Sequence, residues 1–329
     1  MEPEFIQIDT DELLRMFREA ATGDTVLAHN FFARFPFAAS FGKEDFLDAF
    51  NSAVDILENL GNLDRDAYER IHKGCIFYFT AISAFYLHDF QSAAFFFDAA
   101  ASEDMKNDPN PRTPALLFML LDSQDPNQAA RKQTRDAEDW MKMALSEYHL
   151  YPGHVPITFD EIRQHFFERA ITDHREWRTL VTSWITFFME WNHRFRLLKL
   201  RVEDGTWEPF YLHLFKGCLL FESLLKSEPS GQVTQETLGG ILNDPTSYAR
   251  PRLGITGRVR TGGATLSDIL RDAPLAATDI QTDIEFTAKL RNTVGHNLGW
   301  ATRINLAEYS HLARRVSNSC LHAISTLYR

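Results

Sequence analysis

Apolar residues recur at spacings of three and four along most of the chain, and sustained apolar/polar alternation is rare, which predicts an all-α protein. Thr10 is placed to cap a first helix, with acidic Asp11 and Glu12 in its first turn and Leu13, Leu14 and Phe17 on one face. A second helix is expected from Glu44 to Leu60, carrying Phe46, Phe50, Val54 and Leu57, with Gly61 positioned to stop it. The most apolar stretch, Tyr68 to Glu103, divides at His88-Asp89 into two helices joined by a short turn. Lys106 to Glu138 reads as loops around a short helix, Pro114 to Leu121, because Asn107-Asp108-Pro109-Asn110-Pro111 and Asp122-Ser123-Gln124-Asp125-Pro126 are turn-forming.

Tyr151 to Pro156 is a further stop, followed by one long or two shorter helices from Asp160 to Leu200. Glu203-Asp204-Gly205 is the expected domain boundary, giving an N-terminal multi-helix region, 1–204, and a C-terminal domain, 205–329. In the latter, Phe210 to Lys226 buries Tyr211, Leu214, Cys218, Phe221 and Leu225. A Gly- and Arg-rich loop, Tyr248 to Gly263, follows; Asp279 to Val294 is the next helix. Leu306, Tyr309, Leu312, Val316, Cys320, Ala323 and Leu327 stripe the last. This is the outline of a four-helix bundle with a short or irregular second helix.

Charge narrows the partners. The net charge of −11 is uneven: the first 200 residues carry −12 and the remainder +1, so a polyanion would be met by the C-terminal part. Cys75, Cys218 and Cys320 have no paired spacing, which points to a reducing, cytoplasmic setting rather than a disulfide framework or a zinc site. The acidic N-terminus, with Glu2, Glu4 and Asp9, is unlike a signal peptide, and the longest apolar run, Cys75 to Leu87, is too short to span a bilayer, so no membrane contact is expected.

Two segments carry resemblances. Asp89-Phe90-Gln91-Ser92-Ala93, with Phe97 and Ala100, resembles the second helix of a tetratricopeptide repeat, in which small residues at Ala93 and Ala100 allow close helix approach; the family's usual first-helix aromatic falls on Ala84. A helical hairpin of no particular family accounts for the same residues. Lys289-Leu290-Arg291-Asn292-Thr293-Val294-Gly295-His296-Asn297 resembles the RxxxxH motif of HEPN domains, helical bundles found in many metal-independent ribonucleases of defence, toxin and RNA-processing systems. The resemblance covers roughly Trp207 to Arg329. It implies that Arg291 and His296 are catalytic with Asn292 beside them, that two subunits bring their motifs together as a homodimer, and that RNA is the substrate.

The residue chemistry fits that expectation. Cleavage needs a proton removed from the ribose 2′-OH, charge stabilised on the phosphorane, and a proton delivered to the leaving 5′-oxygen. Histidine serves both proton steps near neutrality, and the guanidinium fork binds phosphate oxygens. Asn292 would orient His296 or the phosphate. Residues five apart on a helix diverge by about 140°, so a break at Gly295 is expected to bring Arg291 and His296 together, and Gly295 also leaves room over the arginine stem. No metal or other cofactor is called for. Arg250, Arg252, Arg258 and Arg260 are candidate RNA contacts on the Gly-rich loop, though a mobile surface loop has the same composition.

Other readings stay open. Arg291 can be a solvated helix-end charge and His296 a C-terminal cap. The protein can be a noncatalytic interaction module whose N-terminal helices bind a protein or ligand, or a nucleotide-binding module contacted through the arginine loop. His311, Arg314 and Arg315, one turn apart on the last helix, can flank the cleft, though a solvated face accounts for them better. His165, Glu168, Arg169 and His174 fit helix-surface ion pairing better than a metal site, and Phe77, Phe79, Phe85, Phe95, Phe96 and Phe97 fit core packing better than base stacking.

Overall fold

A computed structural model describes residues 9–106, 108, 112–126, 130–200, 206–272, 279–296 and 302–329, apart from the side chains of Arg175 and His296. The described residues are helical and contain no strand. They form two compact units, Met1–Thr134 and Arg135–Arg329. The division falls well before Glu203-Asp204-Gly205, which lies outside the described residues.

The first unit is built from α1 (Thr10–Ala20), α2 (Thr25–Phe32), α3 (Pro36–Gly42), α4 (Phe46–Leu63), α5 (Arg65–Arg70), α6 (Gly74–Tyr86), α7 (Phe90–Asp104) and α8 (Pro114–Met119). Aspartates start several of them: Asp24 accepts from the N–H groups of Val26 (2.8 Å) and Leu27 (2.9 Å), and Asp89 accepts from Ser92 (3.1 Å), satisfying donors that a helix start leaves unpaired. Thr10 is the first helical residue rather than the cap; Asp9 precedes it and makes no side-chain cap bond. Gly61 does not stop α4 either. Burial of Leu57 and Leu60 carries the helix past it to Leu63, and Asp64, which accepts from the Ala67 N–H at 2.9 Å, ends α4 and starts α5.

The expected hairpin is present as α6 and α7, turning at His88, whose φ of 60° lies in the left-handed region. Ala93, Phe97 and Ala100 are buried, and the Phe97 ring stacks on Phe118 with centroids 3.9 Å apart. Phe95 departs from the expected core packing: it stands 67% exposed, touching Phe96 edge-on.

The helix α9 (Arg131–Tyr148) crosses the division at Thr134/Arg135. The second unit continues with α10 (Phe159–Ile162), opened by a reciprocal cap between Thr158 and Glu161, then a π-helical turn, Arg163–Glu168, and α11 (Arg169–Thr172). Next come α12 (Arg178–Leu200), α13 (Glu208–Lys226), the short α14 (Leu238–Asn243), α15 (Ala249–Arg252) and α16 (Leu266–Asp272), and the long α17 (Ile280–His296) and α18 (Leu306–Leu327). The bundle core joins Tyr211, Leu214 and Cys218 of α13 to Leu290 and Val294 of α17 and Tyr309, Leu312 and Val316 of α18.

The short helices α14 to α16 stand where an irregular second helix was expected. The fourth long helix against α13 and α18 is α12, which the sequence places before the expected boundary. Gly217 explains how closely it packs: a Cβ there would run into Phe187 of α12 and lie 2.6 Å from Val316 of α18.

Candidate functional site

The residues Arg291, Asn292 and His296 occupy the C-terminal turns of α17. Asp279 caps this helix by accepting from the Thr282 N–H at 2.7 Å. The expected break at Gly295 does not occur: the helix runs through Gly295 to His296. The glycine serves a different contact, since a Cβ at that position would lie 3.1 Å from the Phe215 ring on α13. On a continuous helix, positions 291 and 296 point about 140° apart. The side chain of His296, and Asn297, lie outside the described residues.

Arg291 reaches across to α13. Its Nε–H donates to Oε2 of Glu222 at 2.8 Å, and one terminal nitrogen donates to Oδ1 of Asn292 at 3.2 Å. The Arg291 side chain remains 29% exposed, whereas Glu222 is buried. Lys226, one turn along α13, donates to the other Glu222 oxygen at 2.7 Å. Two cations therefore share one buried carboxylate, leaving a local charge of +1 at a partly open face. Arg291 is an ion-paired, partly buried side chain rather than a solvated helix-end charge. Sequence reasoning passed over Glu222 and Lys226, yet Glu222 sits four residues after Cys218 on the buried stripe of α13, where a carboxylate requires a cationic partner.

Asn292 faces the Gly- and Arg-rich loop. Its side-chain amide donates to the Thr261 carbonyl, and the Thr293 hydroxyl donates to the Ala264 carbonyl at 3.2 Å. Asn243 fastens the same loop at Val259 in both directions, donating at 3.0 Å and accepting at 2.8 Å.

The four arginines separate into two kinds: Arg250 and Arg252 lie in the short helix α15, and Arg258 and Arg260 in the loop after it. Arg250 donates to the carbonyls of Asn243 (2.7 Å) and Gly257 (3.0 Å), and Arg252 donates to Tyr248 O (3.1 Å) while stacking over the Tyr248 ring at 3.4 Å; both are bound up in the loop's own folding. Arg258 and Arg260 are exposed, with no hydrogen bond or ion pair to the described residues.

The last helix departs from the expected solvated face. Arg315 is buried, donates to Asp283 Oδ1 at 2.7 Å and lies over the Phe286 ring at 4.5 Å, while Asn318 donates to Asp283 Oδ2 at 2.8 Å. Burial pushes the Asp283 carboxyl up to about 6 against the opposing pull of Asn318 and Arg315. Arg314 pairs with Glu147 at 2.8 Å. The His174 ring stacks on Trp177 at 3.9 Å and lies 3.2 Å from both Arg169 and Glu176. Among the described residues, no group of three or more His, Cys, Asp or Glu side chains is arranged to hold a metal ion, and no helix is long and apolar enough to cross a membrane.

No protein-family model, curated protein or solved structure matches the chain.

Proposed function

We propose that the second unit is a HEPN-like, metal-independent endoribonuclease that acts as a homodimer in the cytoplasm, as an effector of defence, toxin or RNA-processing systems. The observation that carries this reading is the partly exposed Arg291 side chain in a cluster of net charge +1 with Lys226 and Glu222, five residues before His296 on one helix. Such a cluster suits a phosphodiester, whose charge grows as the phosphorane forms.

The continuity of α17 supports the dimer. With positions 291 and 296 diverging on one helix, a site using both requires a second copy to supply the facing arginine and histidine. Two motifs then provide one histidine to take the 2′-OH proton and another to protonate the departing 5′-oxygen, while the 2′-oxygen attacks phosphorus and leaves a 2′,3′-cyclic phosphate. Asn292 is assigned a positioning role, because its Oδ1 holds Arg291 and its amide holds the loop that presents Arg258 and Arg260. The first unit, with its α6–α7 hairpin, is assigned to sensing or scaffolding through a protein or ligand partner.

The test is cleavage of mixed cellular RNA by the purified protein in excess chelator, beside Arg291→Ala and His296→Ala variants of verified fold and oligomeric state. Loss of cyclic-phosphate product in both variants is expected. Equal cleavage by all three proteins would place the activity elsewhere. A second reading, a noncatalytic bundle, is favoured by the commitment of Arg291 Nε to Glu222. It requires Arg291→Lys, which keeps the ion pair but loses the planar fork, to behave as wild type in every assay.

A further inference from the structure

The first unit contains an apolar hollow of about 200 Å³ between α2, α3 and α6, walled by Phe32, Phe37, Phe41 and Phe79, with Cys75 in its wall and His29 at its edge. The hollow opens in part to solvent, and its unfilled wall forfeits dispersion contacts that a guest would supply. This hollow is several waters large, and its lining offers water almost no hydrogen-bonding partners, a combination that favours an apolar guest over solvent.

We propose that this hollow binds an uncharged, single-ring aromatic molecule bearing a short polar substituent. Size sets the first limit. A cavity of about 150 Å³ accommodates benzene, so about 200 Å³ admits one ring with a substituent of about two heavy atoms. The walls set the second: the Phe41 and Phe79 rings already meet edge-to-face at 4.8 Å, and a further ring extends the same geometry. Charge sets the third. None of the lining residues is an acid, lysine or arginine, so a buried charged guest would lack a counter-ion. Burial also pushes the Cys75 thiol up to about 11, which keeps it neutral beside the guest. The exposed imidazole of His29 is the polar group available to a substituent at the edge.

The proposal is independent of the nuclease reading, and its test has no catalytic readout. With the full chain, the fluorine resonance of 4-fluorobenzyl alcohol should shift saturably, be displaced by benzyl alcohol, and be displaced at least tenfold less well by benzylammonium. Ala38→Phe, which fills the hollow from α3, should weaken binding at least tenfold. In the wild-type protein, saturating benzyl alcohol should slow alkylation of Cys75 by iodoacetamide at least fivefold, and this arm stands even if the filled variant fails to fold. Cys218 and Cys320 are fully buried and give no competing signal. Absence of a saturable shift, an unchanged Cys75 rate, or tighter binding of hexanol than of benzyl alcohol would overturn it.

Discussion

Arg291 and Glu222 are joined by a 2.8 Å hydrogen-bonded ion pair between α17 and α13, although 69 positions separate them in the chain. Glu222 is buried and also bound by Lys226, so the two sides of the pair are unequal. Removing Arg291 leaves the carboxylate with one cation. Removing the carboxylate leaves two partly exposed cations facing each other. Arg291→Ala should therefore cost about 1 kcal/mol, and Glu222→Ala about 2–3 kcal/mol, since it also removes a buried side chain. Urea unfolding followed by tryptophan fluorescence measures both, because every tryptophan among the described residues lies in the second unit. A larger loss for Arg291→Ala than for Glu222→Ala would contradict this asymmetry.

Asn292 predicts a local effect on the loop. Its amide and the Thr293 hydroxyl hold the segment at Thr261 and Ala264, while Asn243 holds it separately at Val259. In Asn292→Ala, trypsin should cut after Arg258 and Arg260 several-fold faster with little change in global unfolding, because only one end of the loop is released. Asn243→Ala should act similarly from the other end, and the double variant should exceed either alone. Identical cutting rates in wild type and both single variants would show that the loop is held by other contacts.

The long helices of the bundle were legible because their apolar stripes repeat: Tyr211, Leu214 and Cys218 on one, and Tyr309, Leu312 and Val316 on another, all meet in the core. What sequence pattern could not supply was partnership across the bundle. Glu222 and Arg291 are each ordinary on their own helices, and only packing brings them together. Gly61 and Gly295 read as helix ends, yet both lie inside helices, and at Gly295 a larger residue would press on Phe215. Local propensity yields to tertiary contact at such positions. The place of α12 is not legible in local pattern, since its approach through Gly217 depends on a residue on another helix.

Asp283 and Arg315 form a fully enclosed ion pair in the second unit's core, at 2.7 Å with Asn318 as a second donor. Asp283→Ala leaves a guanidinium enclosed without its carboxylate, for an expected cost of about 3–5 kcal/mol. Replacing both partners, Asp283→Leu with Arg315→Met, should recover much of that loss, because the desolvation penalty goes with the charges. A double variant no more stable than Asp283→Ala would mean that the pair itself, rather than the stranded charge, supplies the stability.

The same unit contains two buried histidines in matching arrangements. His213 Nε2 lies 2.9 Å from the Phe187 carbonyl and its Nδ1 2.9 Å from the Tyr309 hydroxyl; His322 Nε2 lies 3.2 Å from the Leu253 carbonyl and its Nδ1 3.0 Å from the Tyr148 hydroxyl. A carbonyl can only accept, so each ring carries its proton on Nε2 and takes the tyrosine hydrogen at Nδ1. Burial depresses both histidines to about 4, and each is therefore neutral in the folded protein where the unfolded chain would bind a proton. Their contribution to stability is complete above about 6.5 and is lost as pH falls toward 4. Asp283 acts in the opposite sense: raised to about 6, it favours the folded state on acidification through that value. At pH 5 the two histidines together cost about 4 kcal/mol relative to neutrality and Asp283 returns about 1.4 kcal/mol, for a net loss of about 2–3 kcal/mol. Unfolding midpoints of the tryptophan signal at pH 8, 6 and 5 should fall accordingly, and His322→Gln should reduce the pH-dependent part by about half of the histidine share. A wild-type midpoint that stays level between pH 7 and pH 5 would rule out buried neutral histidines as the source of acid sensitivity.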